Sequence, residues 1–184
     1  MNDGPPKVEQ PLELYLAIGM LTTKWSMIED NWHGIFMNLI SRERNWQPVH
    51  YKPINALWNS HRSFAGQRQM VLDYAREVIG DAHPKLFAEL GQFYNETGKL
   101  SGMRNAIQHA QFVYAGKRDA LQLRLSPINP SKRLDGKDIL TEITDFLPKL
   151  EQLQAGLGFW TLRLLGHEDK YPPSPAMPTE PTAP

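Results

Sequence analysis

The sequence predicts an all-α fold, an up-and-down bundle of four to five helices with a small β-hairpin after the helix that carries the candidate site. Apolar residues recur at three- and four-residue steps over most of the 184-residue chain, which is the spacing of amphipathic helices. Proline and glycine separate these segments, as they do at helix ends. A clear two-residue alternation is confined to residues 121–125.

The first segment runs from about Leu12 to Arg42 and is the longest. One apolar stripe follows its second half, and a helix with such a stripe buries it against the rest of a bundle. The stripe consists of Trp25, Ile28, Trp32, Ile35, Phe36, Leu39 and Ile40.

The second segment starts at Pro53, because proline suits the first position of a helix, and it continues to about Ile79 before Gly80. We predict one uninterrupted helix here. Its apolar stripe is formed by Ile54, Leu57, Trp58, Phe64, Val71, Tyr74 and Val78.

The third segment begins near Pro84 and reaches about Phe112. Gly98 and Gly102 lower its helix propensity by about 1 kcal/mol each. It therefore forms either one helix or two helices with a break before Met103, and this choice accounts for the range of four to five helices.

The fourth segment runs from about Lys137 to Leu165, and Gly166 is a suitable stop. Between the third and fourth segments, residues 113–125 contain the alternating run Leu121–Leu125, preceded by a turn-forming stretch. We predict the small β-hairpin there.

The two ends of the chain differ from the bundle in composition. Residues 1–10 are polar and contain proline, which predicts a flexible N-terminal arm. Residues 171–184 are rich in proline and cannot form a packed helix or sheet, which predicts a disordered tail. Residues 11–170 then form the helical bundle.

Charge and cysteine content exclude several kinds of site. Lysine and arginine number 20 and aspartate and glutamate also 20, so no overall basic field holds nucleic acid nonspecifically. The absence of cysteine removes disulfides and thiolate metal sites, and it fits a reducing cytoplasm. No apolar run approaches the ~18 residues that span a bilayer, and residues 1–7 have no apolar signal core. We expect a cytoplasmic protein with no membrane partner.

The most informative stretch is Arg-Asn-Ala-Ile-Gln-His at residues 104–109. On a helical wheel Arg104, Asn105 and His109 fall on one polar arc, between about 100° and 240° from Met103. The arc combines a fixed cation, an amide and the type of side chain that titrates near neutral pH. A site that cleaves phosphodiesters needs one group that holds phosphate charge and another that moves protons, and this segment offers both.

These residues give the chain a resemblance to the HEPN superfamily, the helical domains of many prokaryotic toxins and RNA-degrading effectors. Domains of that superfamily are four- or five-helix bundles, with an arginine, a polar residue and, three or more residues later, a histidine on a late helix. Arg104, Asn105 and His109 match this pattern, and Trp25 and Glu29 on the first helix extend it. The resemblance covers about residues 12–165.

The resemblance implies metal-independent endoribonuclease activity at a composite site across a homodimer. The ribose 2′-hydroxyl would attack the adjacent phosphate, with His109 as general base or acid and Arg104 holding the phosphate. Asn105 would position His109 or the phosphate. No metal and no other cofactor is implied. The biological setting would be phage defence or a toxin–antitoxin pair, with an antitoxin as the partner protein.

Two further predictions concern supporting residues. Glu29 lies at the margin of the first stripe, and it either pairs with Arg104 or is a partly exposed edge residue. Lys117 and Arg118 at the hairpin tip, together with Arg124, form the best local basic patch. The patch either contacts nucleic acid or is a solvated turn.

The competing hypothesis is a non-catalytic helical bundle that binds a protein or a nucleotide through the same polar face or the tail. Exposed polar arcs are ordinary on amphipathic helices, and zero net charge argues against strong RNA affinity. The spacing of the histidines suits no metal site. Both hypotheses remain open from the sequence.

Overall fold

The structure, a computed structural model, describes residues 8–9, 11–43, 51–110, 112–117, 120–125, 134 and 137–167. Within these ranges the helices are α1 (Pro11–Glu43), α2 (Tyr51–Ser60), α3 (Phe64–Ile79), α4 (Pro84–Gln108) and α5 (Ile139–Leu164). The short strands are β1 (Val8–Glu9), β2 (Phe112–Lys117) and β3 (Ala120–Leu125). The predicted all-α class is confirmed.

Helix α1 is the central element and packs against α5, α3 and α4. Every member of its predicted apolar stripe is buried, and the burial continues toward the start of the helix through Leu14, Ala17 and Leu21. Trp25 and Trp32 are 2% and 0% exposed, and such rings contribute large buried apolar areas. No helix within the described ranges is both long and apolar enough to cross a membrane.

The second predicted helix is in fact two helices, so the prediction of one uninterrupted helix is wrong. Ser63 has an extended backbone and accepts a hydrogen bond from the Gly66 amide, which makes it the N-cap of a new helix. Gln67 Nε2 donates to the carbonyl of Trp58, one of the carbonyls left without an intrahelical partner where α2 ends. The apolar spacing continues across this break, and for that reason it did not reveal the break.

The break changes which side chains are buried. Leu57, predicted to lie in the apolar stripe, is 49% exposed. Ala75 is buried, whereas its neighbour Tyr74 is half-buried. An apolar stripe drawn for one unbroken helix cannot give the buried face on both sides of residues 61–63, because the chain turns there between α2 and α3.

The third segment is one helix, α4, which runs through Gly98 and Gly102 and ends at Gln108. Tertiary packing offsets the cost of these glycines, because Thr97 and Leu100 beside them are buried. The fifth helix of the described residues therefore comes from the break between α2 and α3 and not from the glycines.

A hydrogen-bonded pair joins α1 to α4 inside the core. Trp32 Nε1 donates to Thr97 Oγ1 at 3.2 Å, and Thr97 Oγ1 donates to the carbonyl of Phe93 at 2.7 Å. Trp32 and Thr97 are both 0% exposed, so these polar atoms find their partners within the protein. The pair fixes the position of α4 along α1, and with it the position of the Arg-Asn segment relative to Trp25.

Helix α5 is capped at both ends. The carboxylate of Asp138 accepts hydrogen bonds from the side chain and the amide of Thr141, and these bonds hold the pKa of Asp138 below its ordinary value. Gly166, the predicted stop, has a φ of 74°, which glycine adopts more easily than other residues. The His167 amide donates to the Leu162 carbonyl at 2.9 Å, as in a Schellman motif.

Strands β2 and β3 pair antiparallel, with Lys117 opposite Ala120, and β1 lies parallel to β3, with Val8 opposite Leu121. Two residues of the predicted flexible arm are thus extended, because their main-chain groups find partners at the edge of β3. The predicted tail, residues 171–184, lies outside the described residues.

Gly156 and Gly158 of α5 differ in the space beside them. A Cβ at Gly156 would lie 2.6 Å from Phe93 Cε1, whereas one at Gly158 would meet nothing within 4 Å. We expect Gly156→Ala to lower the free energy of unfolding by about 1–3 kcal/mol through overpacking. Gly158→Ala should raise it by up to about 1 kcal/mol through helix propensity. Urea unfolding measures both changes, and equal effects would contradict the close contact of α5 with Phe93.

Candidate functional site

The candidate site lies at the C-terminal end of α4. Arg104 and Asn105 are on its last turns, while His109 is the C-cap residue. Ile107 is 1% exposed and anchors this end of the helix in the core. Asn105 and His109 are exposed and Arg104 is half-buried, so the polar arc faces away from the core, as the helical wheel predicts.

Two side chains of α1 hold Arg104 in place. Trp25 Nε1 donates to Glu29 Oε1 at 2.7 Å, and the same oxygen lies 3.9 Å from Arg104 Nη2. The Cζ atom of Arg104 lies 5.5 Å from the centre of the Trp25 ring, within the range of a cation–π contact. The contact between Glu29 and Arg104 that the sequence raised as one of two alternatives is therefore present.

The side chain of Asn105 is hydrogen-bonded to the arginine. Arg104 Nη1 donates to Asn105 Oδ1 at 3.0 Å. The sequence analysis offered Asn105 as a residue that orients His109, but the bond between them is a backbone one, in which the His109 amide donates to the Asn105 carbonyl at 3.0 Å. Asn105 instead adds a third contact that restricts the arginine side chain.

A cavity of about 230 Å³ opens beside Arg104. Three helices contribute to it: the middle of α1, the start of α3 and the end of α4. Its lining residues are Trp25, Glu29, Ser63, Phe64, Ala65, Arg68, Ser101, Arg104 and Asn105. His109 does not line it, so within one chain the predicted proton-transfer group lies apart from the predicted phosphate-holding group.

Arg68 is the residue of this cavity that the sequence analysis missed. It is 5% exposed, and its Nη1 donates to the carbonyl of Tyr94 at 2.7 Å. Its Cζ lies 5.2 Å from the ring centre of Phe64 and 5.0 Å from that of Tyr94. Burial lowers the pKa of the guanidinium, and the interaction with Tyr94 opposes part of that shift. The signal in the sequence was its place in the apolar stripe, four residues after Phe64 and three before Val71.

Both arginines of the cavity retain unused hydrogen-bonding capacity. Among the described residues, Nε of Arg68 and Nε of Arg104 are buried and have no hydrogen-bond partner. A buried donor without an acceptor costs about 1–3 kcal/mol. The surrounding packing therefore has to offset that cost.

The predicted basic patch is only partly described. Lys117 ends β2 and Arg124 lies on β3, while Arg118 lies outside the described residues. Strand β2 begins at Phe112, shortly after α4 ends at Gln108, so Lys117 lies close to the candidate site in sequence.

A larger cavity of about 870 Å³ lies at the opposite end of α4, where Pro84 begins the helix. Arg42 spans part of it, since Nη1 donates to the Leu164 carbonyl at 3.1 Å and Nη2 lies 2.8 Å from His83 Nε2. Arg163 also lines it and forms an ion pair with Glu89. Arg42 and Arg163 in this cavity therefore already have hydrogen-bonding or ion-pair partners within the protein.

Any metal ligands would have to be histidine, aspartate or glutamate side chains, because the chain has no cysteine. No group of three or more histidine, aspartate or glutamate side chains there lies close enough to hold a metal ion.

Comparisons of the chain with protein-family models, with curated proteins and with solved structures give no match. Function therefore has to follow from the geometry of the site.

Proposed function

We propose that the protein is a HEPN-like, metal-independent endoribonuclease whose composite site forms across a homodimer. One observation carries the proposal: Arg104 is held over Trp25 with Glu29 beside it, at the edge of a cavity. A guanidinium held in this way is suited to stabilising the charge that develops on a phosphate during cleavage, because it needs little reorganisation during the reaction.

In the proposed reaction His109 takes the proton of a ribose 2′-hydroxyl as that oxygen bonds to the adjacent phosphorus. The bond between phosphorus and the 5′-oxygen breaks, and the 5′-oxygen leaves with a proton returned by a histidine. The products are a 2′,3′-cyclic phosphate and a free 5′-hydroxyl. Arg104 donates hydrogen bonds to the phosphate oxygens, and Asn105 restrains Arg104.

The position of His109 supports the homodimer as part of this proposal. Within one chain this residue does not line the cavity of Arg104 and Asn105. A two-fold axis near the end of α4 would place His109 of a second copy opposite Arg104, and two-fold dimers are the commonest oligomers. The basic patch of Lys117, Arg118 and Arg124 would then contact the RNA on either side of the site.

The cellular role belongs to the same proposal. A metal-independent RNase of this kind would act in the cytoplasm, either in phage defence or as the toxin of a toxin–antitoxin pair. In the second case an antitoxin protein would cover the site and block access of RNA to Arg104.

The test is incubation of the purified protein in EDTA with RNA and with a 2′-deoxy strand of the same sequence. We expect cleavage of the RNA and none of the deoxy strand, because only RNA carries the attacking hydroxyl. Mass spectrometry should find 2′,3′-cyclic phosphate ends on the products. Cleavage that requires a divalent cation, or that also cuts the deoxy strand, would contradict the mechanism.

A non-catalytic binding module is the second candidate, and the separation of His109 from the cavity favours it. Such a module would bind a nucleotide or a protein partner through the Arg104 face or through residues 171–184. It predicts binding without cleavage, lost in Arg104→Ala or on removal of the tail. Cleavage by the parent in EDTA that disappears in His109→Ala would exclude it.

A further inference from the structure

Arg68 is a buried cation. Among the described residues no aspartate or glutamate forms an ion pair with it, although it is 5% exposed. Burying a charge is costly unless the charge is paired or fully hydrogen-bonded. The two aromatic rings and the Tyr94 carbonyl offset part of that cost, but Nε remains without a partner.

The cavity that Arg68 lines has an excess of positive charge. Among the described residues, its charged lining groups are the two guanidinium groups of Arg68 and Arg104 and the carboxylate of Glu29. Glu29 is already engaged by Trp25 and Arg104. One positive charge is therefore left over, and it belongs to the more deeply buried of the two arginines.

The start of α3 adds further donors to the same cavity. Phe64 and Ala65 are its first two residues, and their amides cannot reach an intrahelical carbonyl. Ser63 caps only the Gly66 amide. The N-terminus of a helix attracts anions because its amides and its dipole both favour negative charge.

We propose that this cavity binds a phosphate group between Arg68, Arg104 and the first amides of α3, and that Arg68 supplies the buried charge that retains it. The inference rests on the proposed function, and it assigns the substrate phosphodiester to this position. The cavity is several times the roughly 30 Å³ that one water occupies in the liquid, so it has room for a phosphate group.

The test measures binding of inorganic phosphate by calorimetry, with chloride used to match ionic strength. We expect the parent to bind phosphate and Arg68→Met to bind it at least about tenfold more weakly, the loss of one charge-assisted hydrogen bond. Arg62→Met is the matched control, because Arg62 is exposed in the adjacent turn and does not line the cavity. It should bind phosphate as the parent does.

Arg68→Met is expected to fold, because methionine resembles arginine in length and removes the cost of burying a charge. If it does not fold, Arg68→Lys keeps the charge but loses the planar fork, and it should still weaken phosphate binding several-fold. A measurement without substitution is also available. Phosphate should shift the Nε–H resonances of Arg68 and Arg104 in an NMR spectrum of the isotope-labelled parent.

Phosphate binding and RNA cleavage are measured separately, so the phosphate site and the RNase activity can be supported or overturned independently. Phosphate binding that depends on Arg68, in a protein that cleaves no RNA, would support the inference and remove the RNase proposal. RNA cleavage with phosphate binding that ignores Arg68 would overturn the inference and leave the RNase proposal standing. No phosphate binding by the parent, or unmoved Nε–H resonances, would also overturn the inference.

Discussion

We expect His109→Ala to cleave RNA about 100- to 10,000-fold more slowly than the parent, because it removes the side chain that moves the proton. His109 is exposed at the C-cap of α4, so its loss should change the free energy of unfolding by no more than about 0.5 kcal/mol. Single-turnover cleavage rates in EDTA measure the first effect, and urea unfolding measures the second.

His167→Ala is the control for this prediction. His167 is also exposed, but it follows the end of α5, beside the cavity at the start of α4. We expect it to cleave RNA at the parental rate. A His109→Ala variant as fast as the parent would remove His109 from the chemistry, and another group would then have to move the proton.

The fold could be predicted where one helix buries one unbroken stripe. The stripe of α1 is buried as predicted, because nothing interrupts its phase from Trp25 to Ile40. The prediction failed at residues 61–63, because the Ser63 cap and the Gln67 side chain stabilise a turn that apolar spacing does not reveal. At Gly98 the sequence left one helix or two helices open, and the helix is continuous because burial of the neighbouring Thr97 outweighs the low helix propensity of glycine.

The candidate site could be predicted only within one helix. The wheel of α4 placed Arg104, Asn105 and His109 on one face, and the structure agrees. Which of them share a cavity depends on α1 and α3, which lie far away in sequence. Arg68 was therefore missed, and the separation of His109 from the cavity was not foreseen.

Glu29 gives the second large effect, and two substitutions separate its roles. Glu29→Ala removes the acceptor of Trp25 Nε1 and the carboxylate beside Arg104. We expect the free energy of unfolding to fall by about 1–3 kcal/mol, because Trp25 is 2% exposed and its N–H is left without that partner. RNA cleavage should slow by about 10- to 100-fold, because Arg104 loses part of its restraint.

Glu29→Gln keeps an oxygen that can accept the Trp25 hydrogen bond and removes only the charge. We expect its stability to lie within about 1 kcal/mol of the parent, because a partly exposed ion pair 3.9 Å long contributes little. If Glu29 positions Arg104 through charge, kcat should fall in Glu29→Gln with little change in KM. Asp30→Asn removes an exposed carboxylate one residue along α1 and should leave both parameters unchanged. A different outcome would be a kcat that is parental in Glu29→Gln and reduced in Glu29→Ala. Glu29 would then act by holding the Trp25 ring, and the ring would in turn position Arg104.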